Sequence, residues 1–257
     1  MFDLHVITND KRLTWALGGV LVASLAAYIL TKLTLFAGTS LLSFLALVLV
    51  DAAPKKMDKD SLSSTLKETL IAIAVAAAIW VGLCIILQTS SPIDVVTSCS
   101  MLPLLERGDL IIIQGGTINA PSINTNQFTN LNAQKKQCTI ERGGTSIQTM
   151  CTSAIIAVNQ SFGFNSSNDV IVYEATPSSY GLIVHRAWLA IEDNEETRYV
   201  TKGDNNQIID YEGGIEFPKR SKVHGKVILR IPYVGLLKLF LFGQFDEPPG
   251  CDTRTIQ

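Results

Sequence analysis

The chain has 257 residues, 47% of them hydrophobic and only 17% charged, with a mean hydropathy of +0.28. Soluble domains carry roughly 25% charged residues, so a wholly soluble protein is excluded and membrane segments attached to one domain of ordinary size are expected. The formal net charge of −2 gives no reason to expect a nucleic-acid partner.

In chain order, residues 1–12 form a short polar start, followed by two charge-free apolar windows at 13–30 and 33–50. A third, at 70–87, follows a polar loop at 51–69. Each window reaches the roughly 18 residues at which a spanning helix is favoured over a buried core helix. Hydrocarbon cannot satisfy free backbone N–H and C=O groups, so all three are expected to be transmembrane helices. A cleaved signal peptide would have a shorter apolar core ending in small residues, and here a second span follows at once. Lys11 and Arg12 precede the first window, and Lys55, Lys56, Lys59 and Lys67 lie between the second and third. Only Lys32 separates the first two. Positively charged loops stay inside, so the N-terminus and the 51–69 loop are expected in the cytoplasm and residues 88–257 outside.

From Gln88 onward the pattern becomes short Val-, Ile- and Tyr-rich runs divided by turn residues. Residues 110–113, 170–173, 182–184, 199–202 and 223–230 read as strands of a mostly β domain. Residues 115–168 interrupt them with a stretch rich in Asn, Gln, Ser and Thr, which reads as a polar surface insertion. Asn159 and Asn165 begin glycosylation sequons there, which chance also produces in so Asn- and Ser-rich a segment. Cys138 and Cys151 are spaced to close a short loop by a disulfide, whereas Cys84 falls in a span and Cys251 in a tail. The apolar run at 231–245 is too short to span. It reads either as an interfacial segment against the outer leaflet or as a buried final strand and helix.

Chemistry has few carriers. His5 falls on the cytoplasmic side, leaving His185 and His224 as bases for an outer site. No paired histidines, His-Glu-x-x-His or Cys-x-x-Cys occur, so neither metal nor cofactor is expected. A serine becomes a useful nucleophile when an imidazole within hydrogen-bond reach takes its proton. A carboxylate that orients the imidazole completes the set, in any chain order.

Five stretches carry a resemblance: Ser98-x-Ser-Met-x-Pro-x-Leu-x-x-Gly-Asp109, DVIVYE at 169–174, VHR at 184–186, TKGDNN at 201–206 with Asp210 beyond it, and GKVILRIPYVG at 225–235. Together they resemble a type I signal peptidase. His185 before Arg186, where the bacterial branch has lysine, resembles the archaeal and endoplasmic-reticulum branch. The resemblance covers about 95–115 and 169–237. It implies a LexA-like β catalytic domain behind the transmembrane helices. It also implies a Ser100 nucleophile, a His185 general base and Asp210 as triad acid, with Asp204 as a supporting acid or the alternative one. By the same resemblance the backbone N–H of Ser100 and the Ser98 hydroxyl would serve the oxyanion, while Met101 and Pro103 would shape a pocket for small side chains. Arg186 and Asp109 would be structural. Cys99 departs from the pattern, since glycine usually stands between the two serines. The implied activity is serine-endopeptidase removal of signal peptides from secretory preproteins, after small residues of the Ala-x-Ala type. Partners would be preproteins, the lipid bilayer, and the protein-export channel or accessory subunits, in the cell membrane or that of the endoplasmic reticulum. The rival readings are a self-cleaving or partner-specific peptidase of the same fold and a non-catalytic membrane receptor or scaffold.

Overall fold

The computed structural model describes residues 11–52, 59–124, 131–193 and 196–256. His5, Lys55 and Lys56 lie outside the described residues. Two compact units divide the chain. One takes the N-terminal segment through Leu83 together with Leu236–Glu247, and the other takes Cys84–Gly235 with Pro248–Gln257.

The first unit is helical. Helices α1 (Lys11–Thr31) and α2 (Thr34–Ala52) form a hairpin, and α3 (Lys59–Ile86) follows. Windows at Lys11–Thr31, Thr34–Asp51 and Leu66–Ile86 are long and apolar enough to cross a membrane. Small residues line the α1–α2 contact. Ala37 is fully buried, and the hydroxyls of Ser24 and Ser40 hydrogen-bond across it at 2.8 Å. Without side-chain bulk the two backbones approach closely, as apolar helices do in lipid. No residue of the α3 window is buried, and Leu70, Ile71, Ile79 and Trp80 are exposed as hydrocarbon would demand.

The run at 231–245 carries a short helix that is buried on one face and leaves Leu241 exposed on the other, with Val234 and Phe242 exposed beside it. Its helix α4 (Leu236–Leu241) buries Leu236, Leu239 and Phe240, with Phe240 edge-on to Tyr28 at 4.8 Å. The Tyr28 hydroxyl donates to the Phe245 carbonyl at 2.9 Å, and Lys32 pairs with Glu247 at 3.1 Å. A hydroxyl and an ion pair at the ends of an apolar contact fix its orientation, so the segment is integrated into the helical unit.

The second unit is β. Its larger sheet holds β1 (Ile93–Val95), β2 (Leu110–Gln114), β3 (Ser122–Asn124), β7 (Val170–Glu174), β8 (Leu182–Glu192), β9 (Thr197–Lys202) and β10 (Val223–Ile231). The order is β1-β2-β10-β7-β8-β3, with β9 also on β8, and only the β3–β8 pair is parallel. All five predicted strand segments lie in this sheet, and β8 extends far beyond 184 because its continuation Ala187–Ile191 is wholly buried.

The polar insertion is more ordered than a surface loop. It contributes β3 and most of a second sheet of order β11-β4-β5-β6, from β4 (Asn132–Arg142), β5 (Thr145–Ala157), β6 (Gln160–Gly163) and β11 (Thr253–Ile256). The β4–β5 ribbon changes character along its length. Residues 145–149 of β5 are solvated, whereas Cys151, Thr152, Ala154, Ile155 and Ala157 are buried. That near end packs Ile155 and Ala157 against Trp188, Leu189 and Val200 of the larger sheet. Much of the ribbon is solvated, including residues 134–137 and 145–148, so it needs few apolar residues, which is why composition alone suggested a loop. Cys138 and Cys151 are bonded across it as diagonal neighbours two residues apart in register, Cys138 standing opposite Thr149 and Cys151 opposite Lys136.

Candidate active site

Ser100 lies in the tight connection between β1 and β2. Gly108 N–H to Val96 O at 2.8 Å and Val96 N–H to Asp109 O at 2.9 Å close its base. The fully buried Asp109 accepts the Glu106 N–H at 2.7 Å and pairs with Arg230, so it holds the connection in place as a structural residue. Met101 points into the core beside Leu105 and Ile111, which turns its neighbour Ser100 the other way, toward β8. The expected pocket roles of Met101 and Pro103 therefore need correction. Met101 is 1% exposed in the core, Pro103 is exposed on the turn, and neither lines the groove beside Ser100.

His185 is buried in β8, opposite Ile171 of β7. Its Nε2 is 2.9 Å from Ser100 Oγ, and its Nδ1 is 2.7 Å from Asp210 Oδ2. An ionised carboxylate can only accept, so Nδ1 carries the proton and Nε2 presents a lone pair to the serine hydroxyl. Asp210 sits in a turn after β9, set by its N–H to Thr201 O at 3.0 Å and by the Gly213 and Ile215 N–H groups, each 3.0 Å from its carbonyl.

Two further donors meet the same carboxylate oxygen. Tyr173 Oη donates to Asp210 Oδ2 at 2.7 Å, and Thr201 Oγ1 donates to the same oxygen at 2.6 Å. Burial, reinforced by the Asp210 charge, pushes the Tyr173 phenol far above its ordinary range, so it stays protonated and donates. Three donors on one oxygen fix the carboxylate's direction. Sequence reasoning missed Tyr173 and Thr201, which read as ordinary strand residues.

Asp204 is elsewhere. It takes a bidentate pair from Arg186, Nε at 2.9 Å and Nη2 at 2.6 Å, with both side chains nearly buried. Arg186 also donates to the carbonyls of Ser166 and Asn168. Of the two acids weighed from sequence, Asp210 meets the imidazole and Asp204 braces the loop. His224 pairs with Glu174 at 3.3 Å. Among the described residues no three His, Cys, Asp or Glu side chains gather as a metal site.

The turn after β9 does more than reverse the chain. The Asn205 N–H donates to Ser100 O at 2.8 Å and its Nδ2 to Cys99 O at 3.1 Å. Gly203 lies so close that a Cβ there would sit 2.7 Å from Ser100 O. Lys202 is fully buried, with Nζ 3.3 Å from Gly203 O and 5.3 Å from the Trp188 ring centroid. Burial pulls its pKa down to about 8, against the upward pull of Asp204 and Asp210.

Cys99 is bonded to Cys251, 152 residues away, so its sulfur is not available as a nucleophile. It lies outside the positive-φ region, and the departure from glycine leaves the turn unstrained. Ser98 is exposed, with Oγ 3.3 Å from Ser100 Oγ. Asn159 lies at the β5–β6 turn with φ 58°, and Asn165 accepts from Ser167; both are exposed. A groove beside Ser100 and His185 is lined by Ser98, Ile208, Ile209, Ile215, Thr253 and Thr255 among others.

No family model matches the chain. It is 26% identical over 191 residues to the signal peptidase complex catalytic subunit SEC11C of Homo sapiens, covering 73% of this chain and 76% of that one. The chain is similar to signal peptidase catalytic subunits over about 70% of its length. The subunit SEC11 of Colletotrichum graminicola is 26% identical over 182 residues, 70% of this chain and 80% of that one. That of Neurospora crassa is 25% identical over 172 residues, 66% and 74% respectively. These homologues belong to the archaeal and endoplasmic-reticulum branch that the His185–Arg186 pattern resembles.

Proposed function

We propose that this chain is a membrane-bound serine endopeptidase that removes signal peptides from secretory preproteins. The observation that carries the reading is the hydrogen-bonded line Ser100 Oγ, His185 Nε2, His185 Nδ1, Asp210 Oδ2, with links of 2.9 and 2.7 Å. A receptor or scaffold has no use for a serine hydroxyl aimed at a buried, carboxylate-oriented imidazole. The names of the homologues support the same activity.

In this mechanism His185 takes the Ser100 proton as Oγ attacks the scissile carbonyl. Asp210 stabilises the imidazolium and holds the ring through both half-reactions. The backbone N–H of Ser100 and the Ser98 hydroxyl donate to the oxyanion. Collapse of the tetrahedral intermediate breaks the C–N bond, with the imidazolium giving its proton to the leaving amine. Water, activated by the same imidazole, then hydrolyses the acyl-enzyme.

The helices with apolar outer faces would hold the protein in the bilayer, with three crossings and residues 88–257 on the extracytoplasmic side. Two disulfides in the β unit support that side, since reducing compartments do not maintain them. Preproteins with small residues before the cut are the expected substrates. Accessory subunits are expected too, because the homologues are named as parts of a complex.

The test uses the full chain in lipid nanodiscs with a preprotein carrying one Ala-x-Ala site, and mass spectrometry of the products. A single cut after the second alanine is expected. Intact preprotein, or cuts scattered along the mature region, would contradict the proposal.

A further inference from the structure

Residues 249–255 run along the groove beside Ser100. Strand β11 pairs with β4, running Thr253 opposite Arg142 to Ile256 opposite Thr139. Its other edge is met by one side chain. Asn205 Nδ2 donates to Thr253 O at 2.8 Å, and Asn205 Oδ1 accepts the Thr255 N–H at 2.8 Å. An amide spaced to accept and donate two residues apart mimics a neighbouring strand. The Thr255 hydroxyl closes the contact on Asn205 O at 2.6 Å.

The same asparagine holds the carbonyls of Cys99 and Ser100. Cys251, two residues before β11, is covalently bonded to Cys99, which stands between Ser98 and Ser100. Pro249, Gly250, Thr253 and Thr255 thereby line the groove that also contains Ser100 and His185. Among the described residues, none of 248–256 takes part in the hydrophobic clusters of the β unit. Residues 248–256 are tied to the nucleophile turn by a covalent bond and, through Asn205, by three hydrogen bonds on one side and two on the other.

We propose that Pro248–Ile256 is a substrate-positioning strap: one wall of the peptide groove, locked to the nucleophile turn by Cys99–Cys251. Ile208, Ile209 and Ile215 line the same groove. An extended peptide with small side chains would pass along this isoleucine and threonine lining, and bulky residues would meet the strap. The strap is a positioning element, since His185 and Asp210 reach Ser100 without it. This inference rests on the peptidase reading above.

Steady-state cleavage of the preprotein by the full chain and by Cys99→Gly/Cys251→Ser tests the lock. A freed strap must be ordered by the substrate itself, so KM is expected to rise about tenfold, with kcat falling much less. A photo-crosslinking residue at Thr253 in the Ser100→Ala background tests the wall directly and does not depend on the double variant folding. The preprotein is expected to crosslink there and not at Ile147, on the exposed part of β5. Absence of the Thr253 crosslink, while the wild type cleaves, overturns the strap as a wall. An unchanged KM in the folded double variant overturns the lock. Failure of the wild type to cleave at all overturns instead the peptidase reading.

Discussion

Replacing Asp210 by asparagine should separate the two acids of the TKGDNN region. Asp210 Oδ2 accepts from His185, Tyr173 and Thr201 at 2.6 to 2.7 Å, and an asparagine carbonyl can occupy that point without a change of shape. What is lost is the charge. During attack His185 becomes an imidazolium whose charge lies roughly 4 Å from the carboxylate, worth about 4 kcal/mol at an effective dielectric of 20. At about 1.4 kcal/mol per tenfold, kcat should fall on the order of a thousandfold, with KM little changed. Asp204→Asn removes half of the buried Arg186 pair, which costs about 3–5 kcal/mol of stability, yet it leaves the imidazole partnered. Single-turnover cleavage corrected for folded fraction should therefore show a far larger loss for Asp210→Asn. If Asp204→Asn lost a thousandfold and Asp210→Asn stayed within tenfold, the electrostatic argument would be refuted.

Other consequences are separable. Holding Lys202 at about 8 against its ordinary 10.5 makes its charged form cost the folded state about 3 kcal/mol. That deficit is complete below pH 8 and is relieved as pH rises toward 10.5, because the unfolded chain then binds more protons. Lys202→Met should thus melt above the wild type at pH 7, with the gap closing at alkaline pH; a pH-independent gap would contradict this. Gly203→Ala places a methyl 2.7 Å from Ser100 O, so about 1–3 kcal/mol of strain should displace the nucleophile turn. Cleavage by the folded variant should drop, and wild-type kinetics would show that the turn tolerates the methyl. Removing Cys138–Cys151, which closes a 13-residue separation, should lower stability by about 3 kcal/mol in a non-reducing melt. No change would mean that the β4–β5 ribbon holds its own register.

Much of this was legible in the sequence because it is periodic or local. The apolar windows and the strand segments follow from patterning. Ser100, His185 and Asp210 followed from a set of motifs read together. The choice between Asp210 and Asp204 did not, because it depends on which carboxylate the β9 turn carries toward β8 and which it leaves with Arg186. Tyr173 and Thr201 were invisible for the same reason: their partners come from register. The strands within 115–168 were obscured because so many positions of the ribbon are solvated that it carries few large apolar residues. Cys99 looked like a flaw in the nucleophile motif until its partner at position 251 was known, and no local signal announces a bond across 152 residues.

The central claim is that Ser100, activated by His185, cuts the preprotein. Its most direct test is the cleavage rate of the Ala-x-Ala preprotein by Ser100→Ala and His185→Ala, each verified as folded in lipid nanodiscs. Both should cleave at least about a thousandfold more slowly than the wild type, since the members of such a unit fail together. A folded Ser100→Ala or His185→Ala protein that cleaves at the wild-type rate would contradict the account.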